Sequence, residues 1–182
     1  MIFLGFLNFY YRETGMKRSL FVLMMVGLIF GTGLVSAQDD VKQIPECLYC
    51  GMGRGKFAHS RILIEYDDGG MEGMCSIHCA AIDLAINIDK NPKVIQVGDY
   101  LTKKLIDAEK AFWVIGGNKM GVMTKRAKWA FEKKEEAEKF IKENGGKLST
   151  FDDAMKAAYE DMYADTKMIR EGKKMRKMEH KK

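Results

Sequence analysis

Apolar and more polar residues alternate early in the chain, and this pattern predicts two strands joined by a tight turn. Within residues 57–66, Ile62 and Ile64 stand two positions apart, which is the period of a strand with one buried face. Residues 67–70 read Asp-Asp-Gly-Gly, a strong hairpin signal. We expect a short second strand directly after it, at residues 71–74.

A helical period replaces the strand period after this hairpin. Ser76 stands where it can cap the start of a helix. Pro92 ends the segment, and residues 93–97 read as a third strand. The predicted order is therefore β-β-α-β. The apolar stripe of the helix consists of Ile77, Ala81, Leu84 and Ile88.

The same order of elements is predicted again in residues 101–150. Apolar runs at 111–115 and 128–131 read as strands, and a glycine pair follows the first of them. Residues 132–144 carry apolar positions at helical spacing, and residues 147–149 can form a short last strand. The repeat is one of pattern, because the two segments do not share their residues.

Two such units and a final helix give an α+β fold, with units at residues 38–100 and 101–150 and a C-terminal helix and basic tail at 151–182. Thr150 and Asp153 have the spacing of a capping box at the start of that helix. The tail reads either as a solvated, frayed end or as an arm that scavenges copper through thioether and imidazole groups. Its soft donors are Met175, Met178 and His180.

The first 37 residues have the pattern of a secretory signal peptide. Two basic residues at 17–18 precede the uncharged stretch 19–34, and residues 35–37 read Val-Ser-Ala, a small-residue cleavage site. We expect cleavage after position 37, a flexible lead-in at 38–46, and a periplasmic or otherwise extracytoplasmic protein. Left uncleaved, the same stretch is long enough to serve as a membrane anchor.

The charge of the chain is mild. Its 182 residues carry a formal net charge of +5, much of it in the C-terminal tail, so the charge does not indicate nucleic-acid binding. The length that remains after removal of the leader suits one compact domain or two small ones.

All four cysteines lie in two short clusters, which is the most informative chemical feature of the chain. Cys47 and Cys50 form a C-x2-C pair followed by Gly51-Met52, and Cys75 and Cys79 form a C-x3-C pair around His78. Thiolate, thioether and imidazole suit Cu(I), and four thiolates also suit Zn(II). Soft donors next to each pair favour a metal site over structural disulfides, which need no such neighbours.

Four further side chains are candidates, each with an ordinary alternative. Met123, and as a reserve Met120, lie in a glycine-rich loop where a thioether ligand is favoured over core filling. His78 reads equally as a ligand or as a surface residue, and His59 more readily as a polar loop residue.

The sequence resembles the NosL family, the copper-binding accessory proteins of nitrous-oxide reductase. The resemblance rests on Cys-x-x-Cys-Gly-Met at 47–52, Phe-Trp-Val-Ile-Gly-Gly at 112–117 and Gly-Val-Met at 121–123. It implies two β-β-α-β units similar to those of organomercurial lyase, and Cu(I) binding and delivery outside the cytoplasm. Carried over by position, the implied ligands are Cys47, Cys50, Met52 and Met123.

Two departures from the family pattern affect the expected client. The chain lacks the lipid-accepting cysteine of many members, and its Cys75-x3-Cys79 pair adds a TRASH-like C…C-x3-C pattern. We therefore expect the client to be either nitrous-oxide reductase or another copper enzyme.

We predict a non-enzymatic Cu(I) metallochaperone with metal ligands Cys47, Cys50, Met52, Cys75, Cys79 and Met123. Its expected partners are a copper donor and a copper-accepting client, with a membrane only if the leader stays attached. One alternative is a structural Zn(II) module with four cysteine ligands. The other is a thiol-disulfide oxidoreductase using the C-x2-C pair, which lacks the strand-then-helix context of thioredoxin.

Overall fold

The computed structural model describes residues 38–179, so the predicted signal peptide lies outside the described residues. Within that range the predicted α+β fold of two β-β-α-β units and a C-terminal helix is confirmed. The elements in chain order are α1 (Asp39–Gln43), β1 (Ile62–Tyr66), β2 (Met71–Met74), α2 (Ile77–Ile86), β3 (Pro92–Gly98), β4 (Leu105–Asp107), β5 (Phe112–Ile115), β6 (Lys128–Phe131), α3 (Lys134–Asn144), β7 (Lys147–Ser149) and α4 (Phe151–Glu179).

The first sheet has four antiparallel strands in the order β2-β1-β3-β4. Ile62, Ile64 and Tyr66 of β1 are buried, as the two-residue alternation predicted. Strand β4, Leu105–Asp107, was not predicted. The predicted apolar stripe of α2 was wrong at Ile88, which follows the end of the helix and is 89% exposed.

The second sheet has three antiparallel strands in the order β6-β5-β7. Trp113 and Val114 of the central strand β5 are buried, and all four residues of β6 are buried. Helix α3 contributes Ala137 and Phe140 to the interior and exposes most of its other residues. This is the amphipathic pattern of a helix that covers one face of a sheet.

Helix α4 begins with the predicted capping box. The Asp153 backbone N–H donates to the Thr150 hydroxyl at 3.2 Å, and the Thr150 N–H donates to the Asp153 carboxylate at 3.3 Å. The helix packs against α2 and β5 and continues to Glu179, so the tail is helical to that residue where the sequence suggested fraying. Within residues 38–179, no helix has both the length and the apolar character needed to cross a bilayer.

The expected flexible lead-in is instead part of the fold. Asp40 lies in helix α1, and its carboxylate accepts hydrogen bonds from two fully buried arginines, Arg54 at 2.8 Å and Arg61 at 2.9 Å. Arg54 also donates to the backbone carbonyls of Ile44 and Ile62. A buried charge is stable only when it is paired, so this buried Asp–Arg hub fixes the N-terminal segment against β1.

Candidate metal centre

A short loop carries Cys47 and Cys50 and is closed by its own backbone. The Cys47 N–H donates to the Met52 carbonyl at 2.9 Å, and the Gly51 N–H donates to the Cys47 carbonyl at 2.9 Å. Gly51 has a φ of +70°, which a glycine adopts without strain. The Leu48 N–H donates to the Gly73 carbonyl of β2 at 3.3 Å. The loop therefore presents both thiols over the edge of the first sheet.

Strand β2 and helix α2 deliver the second pair of thiols. Cys75 follows the last residue of β2, and Cys79 lies in the first turn of α2. The Cys75 carbonyl accepts a hydrogen bond from the Ser60 hydroxyl at 2.9 Å, which fixes the turn between strand and helix. Ser76 holds the N-cap position with extended backbone angles, but its side chain makes no cap hydrogen bond, so the predicted hydroxyl cap was wrong.

The two pairs converge on one point. The Sγ atoms of all four cysteines lie within 4.8 Å of one another. Cys50 and Cys75 are 3.5 Å apart, and Cys75 and Cys79 are 3.9 Å apart. Thiolates bound at about 2.3 Å to one tetrahedral ion lie roughly 3.8 Å from each other. The spacing therefore fits a single metal ion, and the cysteines form one cluster rather than two.

The four thiols titrate as a coupled set. Hydrogen bonds from the Cys50 thiol, and then from the two thiols near α2, hold the pKa of Cys47 well below its usual range. Hydrogen bonding to Cys47 raises the pKa of Cys50, but the thiols of Cys75 and Cys79 outweigh it and bring that pKa to about 7. The pKa of Cys75 and that of Cys79 are raised, above all by their hydrogen bonds to Cys47. Negative charge in the cluster is therefore favoured on the two loop thiols.

Exposure separates one cysteine from the other three. Cys47, Cys75 and Cys79 are each at most 2% exposed, whereas Cys50 is only half-buried. A molecule that approaches from solvent can therefore reach the cluster through Cys50.

The predicted methionine ligands occupy half-buried positions. Met52 ends the cysteine loop, and Met52 and Met123 both pack against the core. Met123 has a φ of +63°, which is uncommon outside glycine. Met120 is 82% exposed. A ligand role for Met52 and Met123 stays a prediction, as does the TRASH-like nature of the second cysteine pair.

The two histidines differ in their surroundings: His78 is not at the surface, and His59 lies in a loop, as expected. His78 is buried under α4, with its Nδ1 atom 3.6 Å from a carboxylate oxygen of Asp165. Burial lowers the pKa of His78, and the charge of Asp165 opposes that shift. His59 is half-buried, and its ring lies 5.9 Å from the Tyr100 ring and 5.4 Å from the Trp129 ring.

Sequence reasoning missed the polar groups that surround the cluster. Tyr49, between the two loop cysteines, donates a hydrogen bond to the buried carboxylate of Asp83 at 2.5 Å. Asp83 lies four residues after Cys79, on the same helix face. An acidic residue at that spacing from a cysteine was the available signal. Burial and the hydrogen bond to Asp83 both raise the pKa of Tyr49, which keeps its hydroxyl protonated as a donor.

The chain is similar to a known protein family and to a solved structure. The chain is similar to the copper chaperone NosL from Shewanella denitrificans, whose crystal structure it matches with a TM-score of 0.48 and 26% identity over 59% of this chain and 87% of that chain. A comparison with curated proteins gives no match. The NosL family model matches residues 38–159, more than half of the chain. The chain therefore belongs to the NosL family.

Proposed function

We propose that this protein is an extracytoplasmic Cu(I) carrier that binds the ion at its four-cysteine cluster and passes it to a copper enzyme. The observation that carries the proposal is the convergence of four thiols within 4.8 Å. Thiolates are preferred Cu(I) ligands, and membership in the NosL family supports the same role. Nitrous-oxide reductase is the candidate client.

The burial of the cluster suits transfer by ligand exchange. Three buried thiols hold the ion, and the half-buried Cys50 is the position that a thiol or thioether of a donor or client can reach. Each exchange replaces one Cu–S bond by another, so no redox change and no bond-breaking in a substrate is needed. The protein acts as a carrier and not as an enzyme. The thioethers of Met52 and Met123 are the proposed additional donors.

The proposal includes export of the protein from the cytoplasm. The basic, apolar and small-residue regions of residues 1–37 support a cleaved leader and a location outside the cytoplasm. N-terminal sequencing of the native protein should begin at Gln38. A sequence that starts upstream of that residue would favour the membrane anchor.

Anaerobic metal titration of the reduced protein tests the metal. We expect Cu(I) to be retained against a chelator far better than Zn(II). Cys47→Ser and Cys50→Ser should each weaken retention severely, because each removes one thiolate. Met120→Leu is the matched control, since Met120 is largely exposed and its loss should leave retention unchanged. Equal losses in the control and in the cysteine variants would contradict the assignment.

A structural zinc site is the second candidate, favoured by the near-tetrahedral spacing of the four sulfurs. It predicts a Zn(II) ion that stays bound through purification and is indifferent to Met52→Leu. The oxidoreductase alternative is disfavoured, because the C-x2-C pair lies in a turn before β1 and not at the start of a helix.

A further inference from the structure

We propose that Tyr49 and Asp83 form a positioning pair that holds the two cysteine segments at metal-binding separation. The inference rests on the proposed copper site, and it concerns residues that are not themselves ligands. Metal sites need outer groups that fix their ligands, because a ligand set held loosely binds weakly.

The pair joins the two segments directly. Tyr49 lies between Cys47 and Cys50, and its hydroxyl donates to Oδ1 of Asp83 at 2.5 Å. Asp83 lies one helical turn after Cys79 and is fully buried. One hydrogen bond to a charged group therefore links the loop that carries the first thiol pair to the helix that carries Cys79.

Asp83 is itself held from two further sides. The fully buried Tyr66 of β1 donates to its Oδ2 atom, and the Asn87 amide donates to its Oδ1 atom at 3.1 Å. A carboxylate with donors on both oxygens cannot turn without losing one of them. The anchor for Tyr49 is thus fixed to the sheet and to the end of α2.

The Tyr49–Asp83 bond matters because the loop's backbone bond to β2 does not reach α2. The Leu48 N–H bonds to Gly73 of β2 at 3.3 Å, which fixes the loop to the sheet and not to α2. A site made of four sulfurs also needs the loop held at a fixed distance from α2, which carries Cys79. The Tyr49 hydroxyl supplies that restraint from the helix side, before metal arrives.

Substitution of single hydroxyl groups tests the pair. Tyr49→Phe should weaken Cu(I) retention by about 10- to 100-fold, the usual effect of losing an outer-shell partner, while the unfolding midpoint changes little. Tyr66→Phe removes a bond to the same carboxylate without touching the cysteine loop, so it should lower the unfolding midpoint and weaken Cu(I) less. Tyr163→Phe, at an 82% exposed position, should change neither. Unchanged retention in Tyr49→Phe, or an equal loss in Tyr66→Phe, would overturn the proposal.

A second readout needs no metal. Mild oxidation of the metal-free protein by oxidised glutathione, followed by disulfide mapping, should favour the Cys50–Cys75 bridge in the wild type, because those sulfurs are 3.5 Å apart. Tyr49→Phe should shift the product towards bridges within each segment, Cys47–Cys50 and Cys75–Cys79. An unshifted pattern overturns the positioning role. A shifted pattern supports it even if the titration shows that the cluster binds a metal other than copper.

Discussion

The two β-β-α-β units share an order of elements but differ in what fills their interiors. The first unit buries polar groups in fixed pairings: Arg54 and Arg61 around Asp40, and Asp83 between two tyrosines. The second unit packs mainly aromatic rings, which include Trp113, Trp129, Phe131 and Phe140, although its buried Lys128 is paired with Asp161 of α4. The segments that carry the cysteines are held together by directional bonds.

The helices of the two units show the same difference. Helix α2 buries most of its first two turns, because α4 packs on its outer side, whereas α3 buries only Ala137 and Phe140. Apolar contacts are non-directional, while hydrogen bonds fix distance and angle. Four sulfurs that must meet at one point require hydrogen bonds that fix their positions. The second unit carries none of these sulfurs.

The largest expected effect comes from breaking the Asp–Arg hub. Asp40→Ala leaves two fully buried guanidinium groups without their shared carboxylate, and we expect a loss of about 3–5 kcal/mol of stability, measured by denaturant unfolding. Lys42→Ala is the control, because Lys42 forms only an exposed pair with Asp39 and should cost at most about 1 kcal/mol. Similar losses in both variants would show that the hub contributes little.

Acid should weaken the same hub. Burial opposes ionisation of Asp40, but the hydrogen bonds and charges of Arg61 and Arg54 hold the pKa of its carboxyl below the ordinary value of 3.8. A lowered folded-state pKa stabilises the protein above the unfolded-state value, and that stability is lost as pH falls through the folded-state pKa. The difference in unfolding free energy between wild type and Asp40→Asn should be constant near neutral pH and shrink below about pH 4. A difference that grew with acid would contradict the assignment.

Two glycine substitutions should change the stability of the protein in opposite directions. A Cβ at Gly73 would lie 2.7 Å from Cζ of Arg54 and 2.8 Å from a methyl carbon of Ile44, so Gly73→Ala should cost about 1–3 kcal/mol and weaken metal retention by disturbing the cysteine loop. A Cβ at Gly172 in α4 meets nothing within 4 Å, so Gly172→Ala should gain about 0.5–1 kcal/mol. Thermal unfolding measures the stability of both variants, and Cu(I) titration measures their metal retention. If Gly73→Ala retained Cu(I) as well as the wild type, a disturbance at the Asp–Arg hub would not reach the metal site.

The smallest expected change concerns Met123, the one residue of the second unit that is predicted to reach the metal. Met123→Leu conserves volume and should alter stability by less than about 1.5 kcal/mol, while lowering Cu(I) retention against a chelator. Met120→Leu serves as its control. Identical retention and transfer rates in wild type and Met123→Leu would assign the whole site to the first unit.

Local patterns were enough to predict most of the fold. The alternation of Ile62 and Ile64, the Asp-Asp-Gly-Gly turn and the Thr150 capping box are each complete within a few residues, and each was found as predicted. Strand β4 was missed because Leu105–Asp107 has no apolar alternation of its own, and its strand conformation shows only in its pairing with β3. Ile88 was misplaced because the spacing of apolar residues continues past the last helical turn.

The four cysteines of the candidate site could be found from the sequence, but their arrangement could not. The Cys pairs stand out by residue type, yet their convergence depends on how β2 and the loop meet, over a separation of 25 positions between Cys50 and Cys75. Tyr49 and Asp83 are 34 positions apart, and Asp40 meets its arginines across 14 and 21 positions. Such pairings are set by the packed fold and leave no periodic trace in the sequence.

The unequal burial of the four thiols separates how tightly the proposed carrier holds its cargo from how fast it can surrender it. Affinity is an equilibrium property, to which all of the sulfurs contribute, whereas the rate of handover depends on the first bond that an incoming ligand can replace. With Cys47, Cys75 and Cys79 shielded and Cys50 half-buried, that first bond is the one to Cys50. Such a centre loses its ion slowly to bulk solvent and yields it quickly to a partner that binds over Cys50. The buried thiols therefore set the barrier to loss of the ion, and the half-buried thiol sets the barrier to its delivery.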